Sequence, residues 1–146
     1  MIRRTRLTLV SPSLHIHSVT THITANAISL PIKINKSEHE SVETLTLIDS
    51  GAGGKFINQN YAKKLGLPIQ KLKRAIMARN IDGTLNKTGT ITSYVDLRVE
   101  IDRRIMDKQL LVTGLGNQRI ILGFPWLNEY NPDINWKTAE FKWRTL

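Results

Sequence analysis

The chain has 146 residues, a net charge of +9 and no cysteine. This length predicts one domain with a sizeable core. The lack of cysteine excludes disulfides, thiolate catalysis and cysteine-based zinc sites, and it favours an intracellular, cytoplasmic location. No apolar run approaches the ~18 to 20 residues of a membrane-spanning helix, so we expect no contact with a membrane. The positive charge would attract polyanions such as nucleic acid.

Short alternating or β-branched stretches predict strands along most of the chain. Residues 1–25 form a poorly predictable N-terminal segment, although residues 7–10 have strand character, and residues 26–146 are expected to form the domain. The other predicted strands, in chain order, are 27–34, 41–48, 69–80, 90–101, 106–112 and 119–122, followed by short strands that contain Trp136, Phe141 and Trp143.

Two short helices and one hairpin complete the predicted elements. Asn58 is a candidate N-cap and Gly66 a candidate C-terminal glycine, so a helix is expected between them. Pro125 predicts a further helical turn. The pair Asp82-Gly83 is typical of a tight hairpin turn. Many short strands with few helices predict an all-β protein built as a closed or nearly closed antiparallel barrel.

The most informative motif is the stretch 46–52, an apolar strand that ends in Asp49-Ser50-Gly51. A carboxylate at the end of a buried strand can act as a general acid or base. A small hydroxyl residue can then hydrogen-bond to it, and glycine lets the backbone and a substrate come close. Asp49, Ser50 and Gly51 are therefore candidate catalytic residues of a hydrolase.

Further motifs follow in a consistent order: Phe56-Ile57, Leu65-Gly66-Leu67-Pro68, Asn80-Ile81-Asp82-Gly83-Thr84, Ile120-Ile121-Leu122-Gly123 and Phe124-Pro125-Trp126-Leu127. With the Asp-Ser-Gly motif, this order resembles the retropepsin-like aspartic protease domain of gypsy-class long-terminal-repeat retrotransposon polyproteins, over roughly residues 28–143. The resemblance implies a retropepsin-like (acid protease) closed barrel with a flap hairpin.

The resemblance also implies an aspartic endopeptidase that processes a retrotransposon polyprotein without a cofactor. This chemistry needs two carboxylates that share one proton and hold a water between them. The chain contains one Asp-Ser-Gly motif, and no other acid has a comparable setting, so the second Asp49 must come from another copy. We therefore expect an active homodimer whose substrate is a peptide or polyprotein.

Five residues are expected to bind substrate. Ala52 would keep the floor of the cleft low enough for an extended peptide. By position, the hairpin residues Ile81, Asp82 and Gly83 match the flap of the family, which closes over the substrate. Ile121 matches a residue that lies beside the catalytic loop.

Other features are expected to be structural. Lys55 is predicted to be solvated, and the three tryptophans are predicted to be core residues. His15, His17, His22 and His39 lack carboxylate or cysteine partners at a recognisable spacing, so no metal site is expected.

Two alternative functions stay open on the sequence. The first is a catalytically inactive protease-fold module for dimerisation or peptide binding. The second is a basic nucleic-acid-binding barrel, but the cluster of Lys63, Lys64, Lys71, Lys73, Arg74 and Arg79 lacks interleaved aromatic residues and favours a solvated face. Nucleic acid is therefore expected to bind only through non-specific charge.

Overall fold

The computed structural model describes residues 7–10, 27–80 and 85–144. These residues form ten strands and two short helices. The strands are β1 Leu7–Val10, β2 Ala27–Asn35, β3 Ser41–Asp49, β4 Lys55–Asn58, β5 Gln70–Asn80, β6 Leu85–Ile101, β7 Arg104–Thr113, β8 Ile120–Leu122, β9 Asp133–Asn135 and β10 Glu140–Lys142, and the helices are α1 Gln59–Lys64 and α2 Phe124–Tyr130.

Six of the strands close into a barrel. They are hydrogen-bonded in the order β6, β2, β3, β8, β4 and β7, and β7 pairs back with β6. Outside this ring, β5 adds to β6 and β1 adds to β5. The predicted all-β closed barrel with short helices is confirmed.

The barrel is not purely antiparallel, which corrects the sequence-based expectation. Strand β8 lies between β3 and β4, parallel to β3 and antiparallel to β4, and β4 is in turn parallel to β7. Alternation of apolar residues shows which stretches are strands, but not which strands pair or in which direction. The insertion of β8 brings the loop between β3 and β4 to the end of β8.

The barrel core follows from the period of two in its strands. In β6 the alternating apolar residues from Val95 to Ile101 are buried. Trp126 of α2 is fully buried, and its Nε1 donates a hydrogen bond to Met106 Sδ at 3.3 Å. Trp136 and Trp143 are partly buried against the same core and directly follow β9 and β10, so the prediction that they lie in strands is wrong.

Local sequence also sets the helix ends and the hairpin. The Asn58 side chain accepts a hydrogen bond from the N–H of Asn60 at 2.9 Å and caps α1. Gly66 follows the helix with a positive φ of 69°, a backbone conformation that glycine adopts without strain. Strands β5 and β6 pair as far as Arg79 opposite Leu85, whereas the predicted tip at 81–84 lies outside the described residues.

Candidate active site

Asp49 is the last residue of β3, and its side chain is only 1% exposed. Its carboxylate Oδ1 accepts a hydrogen bond from the backbone N–H of Gly51 at 2.9 Å. The N–H of Ala52 donates to the Asp49 carbonyl at 3.0 Å. The chain after β3 is therefore a tight turn closed on the Asp49 carboxylate, in which Ser50 and Gly51 are half-buried.

The loop between β3 and β4 is fixed to the start of α2 by main-chain contacts. The N–H of Gly123 donates to the Gly54 carbonyl at 2.9 Å, and the N–H of Phe124 donates to the Ala52 carbonyl at 2.8 Å. Gly123 has no room for a side chain, since a Cβ there would overlap the carbonyl oxygens of Ala52 and Gly54. This close approach positions the Asp49 turn.

Ala52 and Ile121, two of the predicted substrate-binding residues, belong to one apolar cluster. Its other fully buried members are Leu47, Phe56 and Ile91. The alternate residues of β3, β4 and β8 belong to the main core, so the cluster lies on the opposite face of these strands. The structure thus brings Ala52 and Ile121 together beside the Asp49 turn.

The base of the β5–β6 hairpin covers this cluster. Leu72 and Ile76 of β5 are partly buried and pack against it. Between the pairs Lys71–Ser93 and Ile76–Ile91, five steps along β5 face two along β6, so β5 bulges there. In this single chain the cluster is closed off from solvent.

Sequence reasoning missed most of this apolar cluster. Leu47 had a local signal, because it lies two residues before Asp49 and therefore on the same face of β3. Phe56 entered only as part of a motif, and Ile91 only as part of an alternating strand. Their place in the cluster depends on strand pairing, which no local pattern specifies.

Lys55 is half-buried, so the prediction of a solvated side chain is wrong. Burial and the nearby charge of Lys108 lower the pKa of Lys55, while Glu129 opposes this shift in part. Lys108 Nζ forms a 2.7 Å ion pair with Glu129 Oε2. Burial alone would lower the pKa of Lys108, but hydrogen bonds to Glu129 and Tyr130 raise it overall. Two lysines and one carboxylate thus share this region between α2, β4 and β7.

The remaining predicted features are spread over the chain. The hairpin residues Ile81, Asp82 and Gly83 lie outside the described residues, as do three of the four histidines.

In the ranges that the structure describes, no three His, Cys, Asp or Glu side chains lie close enough to hold a metal ion, and no helix is long and apolar enough to cross a bilayer. Five cations on or between α1 and β5 are exposed: Lys63, Lys64, Lys71, Lys73 and Arg74.

Comparison with known families shows the family to which the chain belongs. Residues 45–145, more than half of the sequence, match the family model described as the PEG10/RTL1 protease domain. The chain belongs to this family. PEG10/RTL1 protease domains are retrotransposon-derived and gypsy-like, so the resemblance that the order of motifs indicated is confirmed.

A solved structure shows the same fold. The crystal structure of the retroviral protease-like domain of Ddi1 from Leishmania major matches with a TM-score of 0.51 at 17% identity, over 80% of this chain and 85% of that one. At this identity the likeness shows a retroviral protease-like barrel. A protein of unknown function from Legionella pneumophila matches at 13% identity, over 70% of this chain and 86% of that one, but its TM-score of 0.39 carries no argument.

The Gly123→Ala variant tests the contact between α2 and the Asp49 loop. Its Cβ would overlap main-chain carbonyls that cannot rotate away, so we expect the free energy of unfolding to fall by at least about 2 kcal/mol, measured by urea denaturation. The control is Gly66→Ala, where φ is positive but nothing lies within 4 Å. It should lose only about 1 kcal/mol, and an equal loss in the two variants would contradict the steric argument.

The Lys55→Met variant tests the burial of the lysine. A lowered pKa means that the charged form of Lys55 is less stable in the folded chain than in the unfolded chain. At pH 7 the free energy of unfolding of the variant should therefore exceed that of wild type by up to about 1 kcal/mol. Between the lowered pKa of the folded chain and the ordinary value of 10.5, the unfolded chain binds more protons at Lys55, so stability rises with pH there. Wild type should therefore approach the variant as the pH rises toward that value.

Urea denaturation at pH 7 and near pH 10.5 measures the difference in the free energy of unfolding between wild type and Lys55→Met. Lys63→Met replaces an exposed lysine and should stay within about 0.5 kcal/mol of wild type. A Lys55→Met chain less stable than wild type at neutral pH would show that the lysine stabilises the fold.

Proposed function

We propose that this domain is an aspartic endopeptidase, active as a homodimer, that hydrolyses peptide bonds with a water activated between two Asp49 carboxylates. The observation that carries the proposal is Asp49 itself, buried at the end of β3 and hydrogen-bonded by the turn it begins. Membership of a retrotransposon-derived protease family supports polyprotein processing as the biological role. An intracellular site of action is part of the proposal, since a cysteine-free chain needs no oxidising compartment.

The mechanism requires a second carboxylate. In the proposed dimer one Asp49 is ionised and takes a proton from the water, while the other is protonated and polarises the scissile carbonyl. Among the described residues, Asp49 is the only charged side chain that is fully buried. Asp96, Asp102 and Asp107 are exposed, and Asp133 forms an ion pair with Lys142. The partner acid is therefore assigned to Asp49 of a second copy.

The proposed substrate is an extended peptide with apolar side chains beside the scissile bond. Ala52 and Ile121 would contact it, since they form part of the apolar cluster next to the Asp49 turn. Leu72 and Ile76 cover that cluster, so the base of the hairpin would have to move for a peptide to enter. Ile81, Asp82 and Gly83, which are predicted to form the hairpin tip, would then close over the peptide, while Ser50 and Gly51 would hold the carboxylate.

The Asp49→Asn variant tests the mechanism. It keeps the shape of the side chain but cannot act as base, so we expect cleavage to fall at least about a hundred-fold. The assay is cleavage of a diverse peptide mixture at high protein concentration and mildly acidic pH, where a carboxylate pair can hold one proton. Products are detected by mass spectrometry.

The matched control is Asp107→Asn, which removes an exposed carboxylate paired with Arg98 at 2.8 Å. Because surface ion pairs contribute little, this variant should cleave like wild type. Circular dichroism and sedimentation must show that all three proteins are folded dimers. If folded wild-type dimers cut nothing, the proteolytic proposal fails and the inactive dimerisation or peptide-binding module takes its place.

A further inference from the structure

Phe124 is a large aromatic side chain left in solvent next to the Asp49 loop. It is 54% exposed, and it is the only aromatic among the exposed large hydrophobic side chains of the described residues. Isolated exposed apolar residues are ordinary. Phe124 differs from such residues because its backbone is bonded to the catalytic loop that the proposed mechanism uses.

One hydrogen bond and the length of a three-residue segment limit the distance between the backbones of Phe124 and Asp49. The Phe124 N–H donates to the Ala52 carbonyl at 2.8 Å, and Ala52 is only three residues after Asp49. Three residues of extended chain span at most ~10 Å, and the turn closed between Asp49 and Ala52 shortens that span. The Phe124 backbone is therefore held close to the turn that contains Asp49.

The proposed reaction brings a second copy to this place. Two carboxylates that share a proton must approach to about 3 Å, so the two Asp49 loops must touch around the two-fold axis. An exposed side chain whose backbone is bonded to one loop then lies near the other copy. Buried aromatic residues often carry much of the binding energy at the centre of such interfaces.

The surface beside Phe124 is a shallow groove of mixed composition. Phe124 lines a groove of about 530 Å³ between α2 and the β9–β10 segment, together with Leu127, Pro132, Ile134 and Trp136. Asn128, Asn131 and Arg144 line it as well, so the groove is mixed in polarity. The groove therefore adds both apolar and polar groups to the surface around Phe124, and the exposed aromatic ring is its most apolar element.

We propose that Phe124 anchors the homodimer by packing against a second copy of this chain beside the paired Asp49 loops. This inference rests on the proposed function, since shared catalysis is what requires the second copy at this position. Phe124 is a positioning residue: it touches neither the water nor the peptide, and it acts by fixing how closely the two loops approach.

The test compares Phe124→Ser with Ile105→Ser. Ile105 is 57% exposed and lies six residues before Leu111, the β7 partner of Phe56, about 20 Å along the strand. Sedimentation over a dilution series measures the dimer dissociation constant. We expect Phe124→Ser to raise it at least about tenfold and Ile105→Ser to leave it within about twofold.

A second readout separates dimerisation from a local effect on the loop. If Phe124 acts through dimerisation, the specific activity of Phe124→Ser should rise with protein concentration and reach the wild-type value once the dimer is populated. A defect in the loop itself would persist at every concentration and would overturn the inference. Should the Ser variant fail to fold, Phe124→Leu, which keeps part of the apolar surface, is expected to give an intermediate dissociation constant.

The outcomes distinguish this inference from the proposed function. If wild type cleaves peptides and the two Ser variants dimerise equally well, the interface role of Phe124 is wrong and the protease stands. If wild type cuts nothing but Phe124→Ser alone weakens the dimer, the interface stands and the protease fails. A wild-type chain that stays monomeric throughout the dilution series overturns the inference.

Discussion

The main-chain contact between Gly123 and the loop of residues 50–54 is the constraint on which the site depends. Strand β8 lies between β3 and β4, so the loop that joins those two strands must cross the end of β8. It can do so only where β8 ends in a residue without a side chain, and two short hydrogen bonds then join the loop to the start of α2. The position of the Asp49 turn and the placement of Phe124 beside it both follow from this one crossing.

The buried Asp49 carboxylate and the half-buried Lys55 ammonium group have different partners. A buried carboxylate is costly without hydrogen-bond donors, and Asp49 accepts one from the turn that it begins. The half-buried Lys55 has Lys108 and Glu129 as its charged neighbours instead. The cations on α1 and β5 are exposed, as expected for a solvated face.

A single chain carries half of the proposed machinery. It offers one buried carboxylate, an apolar cluster covered by its own hairpin, and an aromatic side chain in solvent beside the same loop. In a solitary chain the proposed reaction would lack its second carboxylate, and the apolar cluster would stay covered. All three are accounted for if a second copy and a peptide complete the site, because symmetry supplies the missing carboxylate and covers the exposed surface.

The sequence by itself determined most of the strands, the caps of α1, the Asp-Ser-Gly motif and the family, because alternation, capping residues and motif order are local properties. It did not predict β4 (Lys55–Asn58), which is too short to show an alternating pattern. Only the tertiary structure decided the parallel pairing of β8, the cluster that joins Ala52 to Ile121, the burial of Lys55 and the crowding at Gly123. Gly123 and Ala52 are 71 positions apart (123 − 52). Contacts between such distant residues depend on which strands pair and in which order, and local patterns leave that order unspecified.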